Sequence, residues 1–282
     1  MVSLITNMSS LNAQRNFEVN ANRVANSIRV VAGGERIGNV SDDAAGLAIS
    51  ESLRSDIRGL RQAARNVSDG ISLVHTVEAS LGINSNILIR LRELATQSVN
   101  GAIGTNERQS IQLEFSELRS ELDRVVGSAQ FNGIKLLDGT LSSTSGIEIN
   151  IQLGLDGRAE SRIDLNAELD LENLSASGLG LSTLTVSSEA GALSAMTEVS
   201  NAIDTVVKVR GTVGAVQNRL ELTLNNLGAT TENLVQADSR IRDADMAEEI
   251  ALLTRNQILT EAASAMVSQS NLIPQNLIQI LK

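Results

Sequence analysis

Few residues of this 282-residue chain could carry out chemistry, and they do not form a recognisable catalytic set. The single histidine, His75, follows Val74 in an apolar helical repeat. One histidine cannot supply the paired imidazoles of a His-His metal site. Cysteine is absent, which excludes thiolate metal sites and a disulfide scaffold. The sequence therefore predicts no metal site and no cofactor.

Two acidic groups are the remaining candidates for acid–base or cation chemistry. Asp42 and Asp43 precede a helical pattern, and a second group near the C-terminus comprises Asp243, Asp245, Glu248 and Glu249. Paired carboxylates can act as general acid and base. Carboxylates at a helix start also complement the helix dipole. We interpret the first pair as dipole complementation and the second group as a solvated face, so an enzyme is the least favoured class.

A row of positive charge is the pattern most suggestive of binding. Arg54, Arg58, Arg61 and Arg65 recur at 4-3-4 spacing, each one residue after an apolar repeat position. This spacing places them along one face of a helix. They either pair with acidic residues of their own helical bundle or contact an acidic strip on a second copy. They are the candidate subunit-contact residues.

These arginines lie within residues 41–99, which read as one long amphipathic helix. Ser41 is the expected N-cap. Apolar residues follow the heptad rhythm at Leu53, Ile57, Leu60, Ala64, Val67, Ile71, Val74, Leu81, Leu88, Ala95 and Val99. Heptads sustained this long predict a coiled-coil seam. A helix of about 57 residues would be roughly 85 Å long, so the sequence predicts an elongated rod.

Composition fits helix-on-helix packing. The chain is 42% hydrophobic but has only three aromatic residues, all phenylalanine, and one proline. Leu, Ile, Val and Ala suit interlocking helical seams. The formal net charge of −10 argues against nucleic-acid binding. No apolar run approaches the ~18 residues of a membrane span, and no ordinary signal peptide is visible. We therefore expect neither nucleic-acid binding nor membrane insertion.

Helical patterns also open and close the chain. Residues 4–32 carry an apolar row at Phe17, Ala21, Val24, Ile28 and Val31, ended by Gly33 and Gly34. The C-terminal segment carries a weaker row at Ile250, Leu253, Ile258, Ala262 and Ala265, and then an apolar tip at Leu277, Ile278, Ile280 and Leu281. Apolar termini on an acidic chain require a partner, either each other or a neighbouring copy.

Between these segments lie a third helix, a β-hairpin and a fourth helix. The third helix has an apolar stripe from Ile111 to Ala129 and should fold back antiparallel on the long helix. Phe131-Asn132-Gly133 is a turn signal. Apolar residues then alternate over 147–153 and 159–165 around Asp156-Gly157, which predicts a hairpin. Residues 166–188 read as irregular, and helical spacing returns near Glu189.

Six segments together resemble bacterial flagellin. They are SDDAAGLAISESLRSDIRGLRQAARNVSDGIS at 41–72, LRELATQSVNG at 91–101, AQFNGIKLLDG at 129–139, GAVQNRLELTLNNL at 214–227, SRIRDADMAEEI at 239–250 and LIPQNLIQILK at 272–282. The resemblance implies a mainly α fold: an elongated rod of long antiparallel coiled-coil helices with a small β-hairpin region. Residues 1–43 and 236–282 would be the arms of an inner coiled-coil domain. Residues 44–235 would be a rod-shaped bundle with the hairpin near 147–165.

The resemblance also implies function and partners. It implies a structural subunit that polymerises into the extracellular flagellar filament, with hook-associated and cap proteins as neighbours. Export would use the flagellar type III apparatus, and an export chaperone would bind the C-terminal segment. An innate immune receptor recognises the family, and Arg90, Leu94 and Glu114 stand at the matching positions. The family's glutamine before that arginine is Ile89 here.

Two other classes of protein share parts of this pattern. A flagellar hook–filament junction protein shares both terminal arms, but the RELATQSVNG, FNG and GAVQNRL segments favour flagellin. A chemoreceptor signalling bundle also has long heptad helices, but it should have a helical tip and a membrane span.

Overall fold

The computed structural model describes the backbone from Asn7 to Ile280 and the side chains from Asn7 to Leu272. Two parts of the predicted apolar rows, Leu4 and the tip at 277–281, lie outside the residues whose side chains are described. The helices are α1 Met8–Gly33, α2 Ala44–Val99, α3 Thr105–Ser128, α4 Leu165–Leu169, α5 Glu189–Arg242 and α6 Met246–Ile280. The strands are β1 Gln130–Phe131, β2 Ile134–Lys135, β3 Asn150–Gln152 and β4 Arg162–Asp164. The prediction of a mainly α fold with long helices and small antiparallel strand pairs is confirmed.

The chain divides into two compact units. The terminal unit contains the residues up to Ser55 and those from Asn233 onward, and the central unit is Asp56–Glu232. Among the described residues, no helix is both long and apolar enough to cross a membrane.

Helix α2 begins three residues later than the sequence suggested. The carboxylate of Asp43 accepts hydrogen bonds from the N–H groups of Ala45 (3.1 Å) and Gly46 (3.0 Å), so Asp43 is the cap. The expectation that Ser41 is the N-cap is wrong, because a turn continues through Asp42. Helix α1 ends as predicted, with Gly34 in the left-handed conformation at φ 70°.

In the central unit, α3 and α5 both run antiparallel to α2. Arg90 of α2 binds Glu114 of α3, and Arg108 near the start of α3 binds the carbonyl of Ser98 near the end of α2. Arg210 of α5 binds Glu78 of α2, whereas Met196 reaches Thr96. In each pair of helices, the number of the contacting residue rises on one helix as it falls on the other, as antiparallel packing requires. The largest fully buried side chains include Phe115, Leu81, Leu88, Leu91 and Leu122.

The predicted hairpin is present but has shorter strands. Strands β3 and β4 pair antiparallel, with Ile151 opposite Ile163 and both side chains buried. The connection is not a two-residue Asp156-Gly157 turn, because it spans residues 153–161 and includes a 3₁₀ turn at Ala159–Ser161. The hairpin lies close to α2, where a Cβ on Gly70 would come 2.2 Å from Ile151 Cδ1.

A second hairpin joins β1 to β2 through Asn132 and Gly133. Their φ angles are 49° and 81°, as a two-residue type I′ turn requires. The sequence indicated the turn here but not the strand pairing. The segment 166–188, predicted to be irregular, begins within the short helix α4. Residues 170–188 are irregular, and they bury Leu171, Leu174, Leu181 and Val186.

Candidate interaction surfaces

The candidate residues for acid–base or metal chemistry either have structural roles or are exposed at the surface. Asp245 caps α6, accepting hydrogen bonds from the N–H groups of Ala247 (2.9 Å) and Glu248 (3.3 Å). His75 is exposed on α2. Across the described side chains, no group of three or more His, Cys, Asp or Glu residues is placed to hold a metal ion.

Asp42 organises the loop between α1 and α2. Its carboxylate accepts hydrogen bonds from the N–H groups of Gly38 (3.1 Å) and Asn39 (3.0 Å) and from the guanidinium of Arg29 (3.0 Å). The hydrogen bond from Asn39 is the main reason that the pKa of Asp42 is lowered, and Gly38 and Arg29 add to it. Asp42 therefore stabilises this loop only in its charged form.

Helices α1 and α6 form an antiparallel pair in the terminal unit. Among the described residues, three hydrogen bonds join α1 and its cap Asn7 to α6. Asn7 donates to the Ser270 carbonyl (2.8 Å), Ser10 donates to Asn271 (2.6 Å) and Asn256 donates to Ser27 (3.4 Å). The least exposed positions recur at heptad spacing on both helices. At this spacing lie Ser10, Ala13, Asn20, Val24, Ser27 and Val31 on α1, and Glu249, Leu253, Asn256, Thr260, Ala263, Val267 and Ser270 on α6. Ala21, Arg29 and Val30 of α1 are also partly buried but lie outside the heptad spacing. The seam is thus made mainly of small and polar residues.

Many of the large apolar side chains of this pair lie outside its seam. Met8 is 62% exposed, Leu11 51%, Ile258 61% and Met266 61%. Of the predicted apolar rows, Val24, Val31 and Leu253 lie at the seam. Ile28, Ile250 and Ile258 do not, since each is at least 50% exposed. Most other seam positions are small or polar, and many of the large apolar side chains project elsewhere. An exposed apolar surface of this kind marks an interaction site.

Arg242, at the end of α5, connects three segments of the terminal unit. Its guanidinium lies 3.0 Å from Glu35 and 3.2 Å from Glu51, and its side chain is only 15% exposed. The hydrogen bond to Glu35 raises the pKa of Arg242 above its ordinary value, although burial opposes the shift. Backbone bonds run from Arg36 N–H to the Arg242 carbonyl (2.7 Å) and from Ala244 N–H to the Gly34 carbonyl (3.0 Å). Sequence analysis missed this cluster, because Glu35 and Arg242 lie 207 positions apart.

The arginine row lies along α2 as predicted, but its members differ. Arg54 binds Glu51 of the same helix (3.0 Å), and Arg65 binds the side-chain oxygen of Gln62. Arg58 and Arg61 are exposed and make no ion pair with the side chains that the structure describes.

The three receptor candidates lie close together but differ in exposure. Arg90 binds Glu114 (2.7 Å) and Glu93 (2.9 Å), and the bond to Glu114 is the main cause of its raised pKa. Leu94 is 1% exposed, so its side chain faces the core, whereas Ile89 beside Arg90 is 46% exposed.

Comparison with known proteins agrees with this fold. The bacterial flagellin N-terminal helical region matches residues 4–142, and the bacterial flagellin C-terminal helical region matches residues 196–281. The chain is 39% identical to the flagellar filament 30.7 kDa core protein of Treponema maltophilum and 40% identical to a flagellin of Halalkalibacterium halodurans. Each alignment covers 98% of both proteins.

A solved structure from Vibrio parahaemolyticus, described as a flagellar hook-associated protein, is similar in fold alone. It has a TM-score of 0.57 and 15% identity, over 72% of this chain and 100% of that chain. The two helical regions and the full-length relatives identify this chain as a member of the bacterial flagellin family.

Proposed function

We propose that this protein is a structural subunit that polymerises into the extracellular bacterial flagellar filament, with its terminal helices pairing in the inner core. The observation that carries the proposal is the arrangement of the α1–α6 pair. Its seam buries Ser10, Ser27, Ala263 and Ser270, while Met8, Leu11, Ile258 and Met266 remain exposed. A pair built in this way is only weakly held by its own seam and gains stability when further copies cover its outer surfaces.

The free energy gained by burying these apolar side chains favours assembly. Fully burying one large apolar side chain contributes about 1.5–3 kcal/mol. Several such side chains per copy can offset the loss of freedom on association, which costs about 4–15 kcal/mol. Covering them with like helices also removes apolar surface from water without any change of fold.

Within such a filament, we assign residues 1–43 and 236–282 to the inner arms and residues 44–235 to the outer helical body. The arginine row Arg54, Arg58, Arg61 and Arg65 would contact an acidic strip on another copy. Arg58 and Arg61 support this role best, because both are exposed and neither pairs with a described acidic side chain.

Further partners follow from family membership. We expect an export chaperone to bind the apolar C-terminal segment, and hook-associated and cap proteins to contact the ends of the filament. An innate immune receptor would use Arg90 and Glu114, both of which are about half exposed. We also propose that the role is structural and not catalytic, as in the family as a whole. A hook–filament junction protein is not favoured, because the full-length relatives are filament proteins.

Seeded polymerisation tests the proposal. Purified protein added to short filament seeds should elongate them into long filaments visible by electron microscopy. A junction protein would instead stop at a short ring or cap. Monomeric or amorphous material across a range of salt concentrations would contradict the proposal.

A further inference from the structure

One edge of the α1–α6 pair carries two arginines without partners. Arg23 of α1 and Arg255 of α6 line a single shallow pocket of about 280 Å³, together with Leu252, Asn256 and Leu259. Both arginines are exposed, and neither forms an ion pair with a described acidic side chain. We name Arg23, Arg255, Leu252 and Leu259 the arginine edge. Two like charges that share a pocket repel each other, so an anionic partner would stabilise them.

The opposite edge of the same pair carries two glutamates. At about 100° per residue, Glu18 lies roughly 140° around α1 from Arg23, and Glu261 lies about 120° around α6 from Arg255. These rotations pass around the outer faces of the helices and place both glutamates on the other side of the pair. Both are exposed and make no ion pair with a described residue. Ile28 and Ile250 lie on this side as well, each 50% exposed.

On both helices, the glutamate is offset from the arginine by a similar distance along the helix axis. Glu18 precedes Arg23 by five residues, and Glu261 follows Arg255 by six. Because the helices are antiparallel, both glutamates are displaced from the arginines in the same direction, by roughly 8 Å at 1.5 Å per residue. Each edge thus presents two like charges, and the charges of the two edges are opposite. Ile28 and Ile250 lie about 15 Å and about 17 Å along their helices from Glu18 and Glu261.

We propose that the arginine edge of one copy docks against the edge formed by Glu18, Glu261, Ile28 and Ile250, the glutamate edge, of the next copy. This inference rests on the proposed function and names the surfaces through which the inner helices meet. Two different surfaces meet in such a contact, so it repeats without limit unless the rotation closes a ring. The axial offset between the edges favours an open helical array. The charged pairs fix the register, while burial of Leu252 and Leu259 beside the arginines contributes to the affinity.

Charge reversal tests the docking of these edges. The double variant Arg23→Glu/Arg255→Glu has two negative edges, and Glu18→Arg/Glu261→Arg has two positive edges. Each alone should raise the critical concentration for seeded polymerisation by about tenfold at low salt, since like charges replace two exposed pairs. The quadruple variant restores complementary edges. An equimolar mixture of the two doubles does the same between unlike copies.

The control is Arg92→Glu/Arg162→Glu, which also reverses two positive charges, at exposed positions outside the α1–α6 pair that form no ion pair with a described acidic side chain. It should polymerise within about twofold of the unmodified protein, because an isolated exposed charge changes little. Recovery by the quadruple variant and by the mixture supports the inference and shows that the double variants had not simply misfolded. Unimpaired double variants overturn the inference but leave the proposed function standing. Double variants that fail and are rescued by neither route also overturn it. Failure of the unmodified protein to polymerise would contradict the proposed function itself.

Discussion

The guanidinium of Arg242 lies 3.0 Å from the carboxylate of Glu35, although 207 positions separate the two residues. The same guanidinium reaches Glu51 at 3.2 Å. This arrangement ties the end of α5 to the loop after α1 and to the first turns of α2. The terminal unit is therefore held together by charge and backbone bonds at this point as well as by its helical seam.

Replacing Arg242 with alanine should loosen this connection. The free energy of unfolding of the terminal unit should fall by about 1 kcal/mol, because two partly exposed carboxylates lose their partner. Hydrogen exchange of the amides of Arg36 and Ala244 should rise accordingly. Arg240→Ala is the matched control, since Arg240 is exposed. Equal exchange in the two variants would show that the Arg242 cluster contributes nothing.

The sequence predicted the helices of this protein much better than it predicted their contacts. Heptad spacing gave α2 nearly to its ends, because periodicity within one helix is a local property. The same periodicity grouped Ile28, Ile250 and Ile258 with residues that do lie at the seam, and it left open whether these rows meet each other or a neighbouring copy. Because those three side chains are exposed among the described residues, hydrophobicity alone could not distinguish the seam from the outer surface.

Contacts between distant segments were even harder to predict from the sequence. No local pattern links Arg242 to Glu35, or Asn256 to Ser27, across more than 200 positions. The Asp156-Gly157 signal predicted a tight hairpin turn, whereas the chain forms a longer connection with a 3₁₀ turn. The Asn132-Gly133 signal succeeded because both residues tolerate positive φ.

Asn84 is a buried amide whose removal should stabilise the central unit. Its side chain is 0% exposed, and neither amide atom has a hydrogen-bond partner among the described residues. Asn84→Leu, of similar size, should raise the free energy of unfolding by about 1–3 kcal/mol, because the desolvation penalty of the amide disappears. Chemical denaturation would measure the change. Asn86→Leu, at an exposed position two residues later, should have little effect, and an equal gain there would refute the role of burial.

The polar seam of the α1–α6 pair should be easy to strengthen. Asn256→Leu with Ser27→Ala replaces a long hydrogen bond of 3.4 Å with apolar contact. We expect the helical content of the monomer to rise, as measured by circular dichroism at a concentration below that needed for assembly. The matched control is Gln269→Leu, at an exposed position of the same helix that makes no hydrogen bond to α1 among the described residues. Unchanged or lower helicity of the double variant would show that the polar seam is not the weak point.

Lowering the pH should destabilise the loop that Asp42 organises. The pKa of Asp42 is lowered in the folded chain, so its stabilising contribution is fully present above the unfolded value of about 3.9. It is lost as the pH falls through the lower folded pKa. An NMR titration between about pH 5 and pH 2 should show the amides of Gly38 and Asn39 shifting at that lower pH. A midpoint at the unfolded value would contradict the three hydrogen bonds to this carboxylate.

The exposed apolar residues of the α1–α6 pair should drive polymerisation, and the critical concentration for seeded filament growth measures their contribution. Unmodified protein should form long filaments. Ile258→Ser/Met266→Ser should raise the critical concentration at least about tenfold, because two side chains worth about 1.5–3 kcal/mol each no longer contribute. Ile258→Val/Met266→Leu, which keeps both positions apolar, should polymerise nearly as well as the unmodified protein. Equal critical concentrations for the serine and apolar variants would contradict the account.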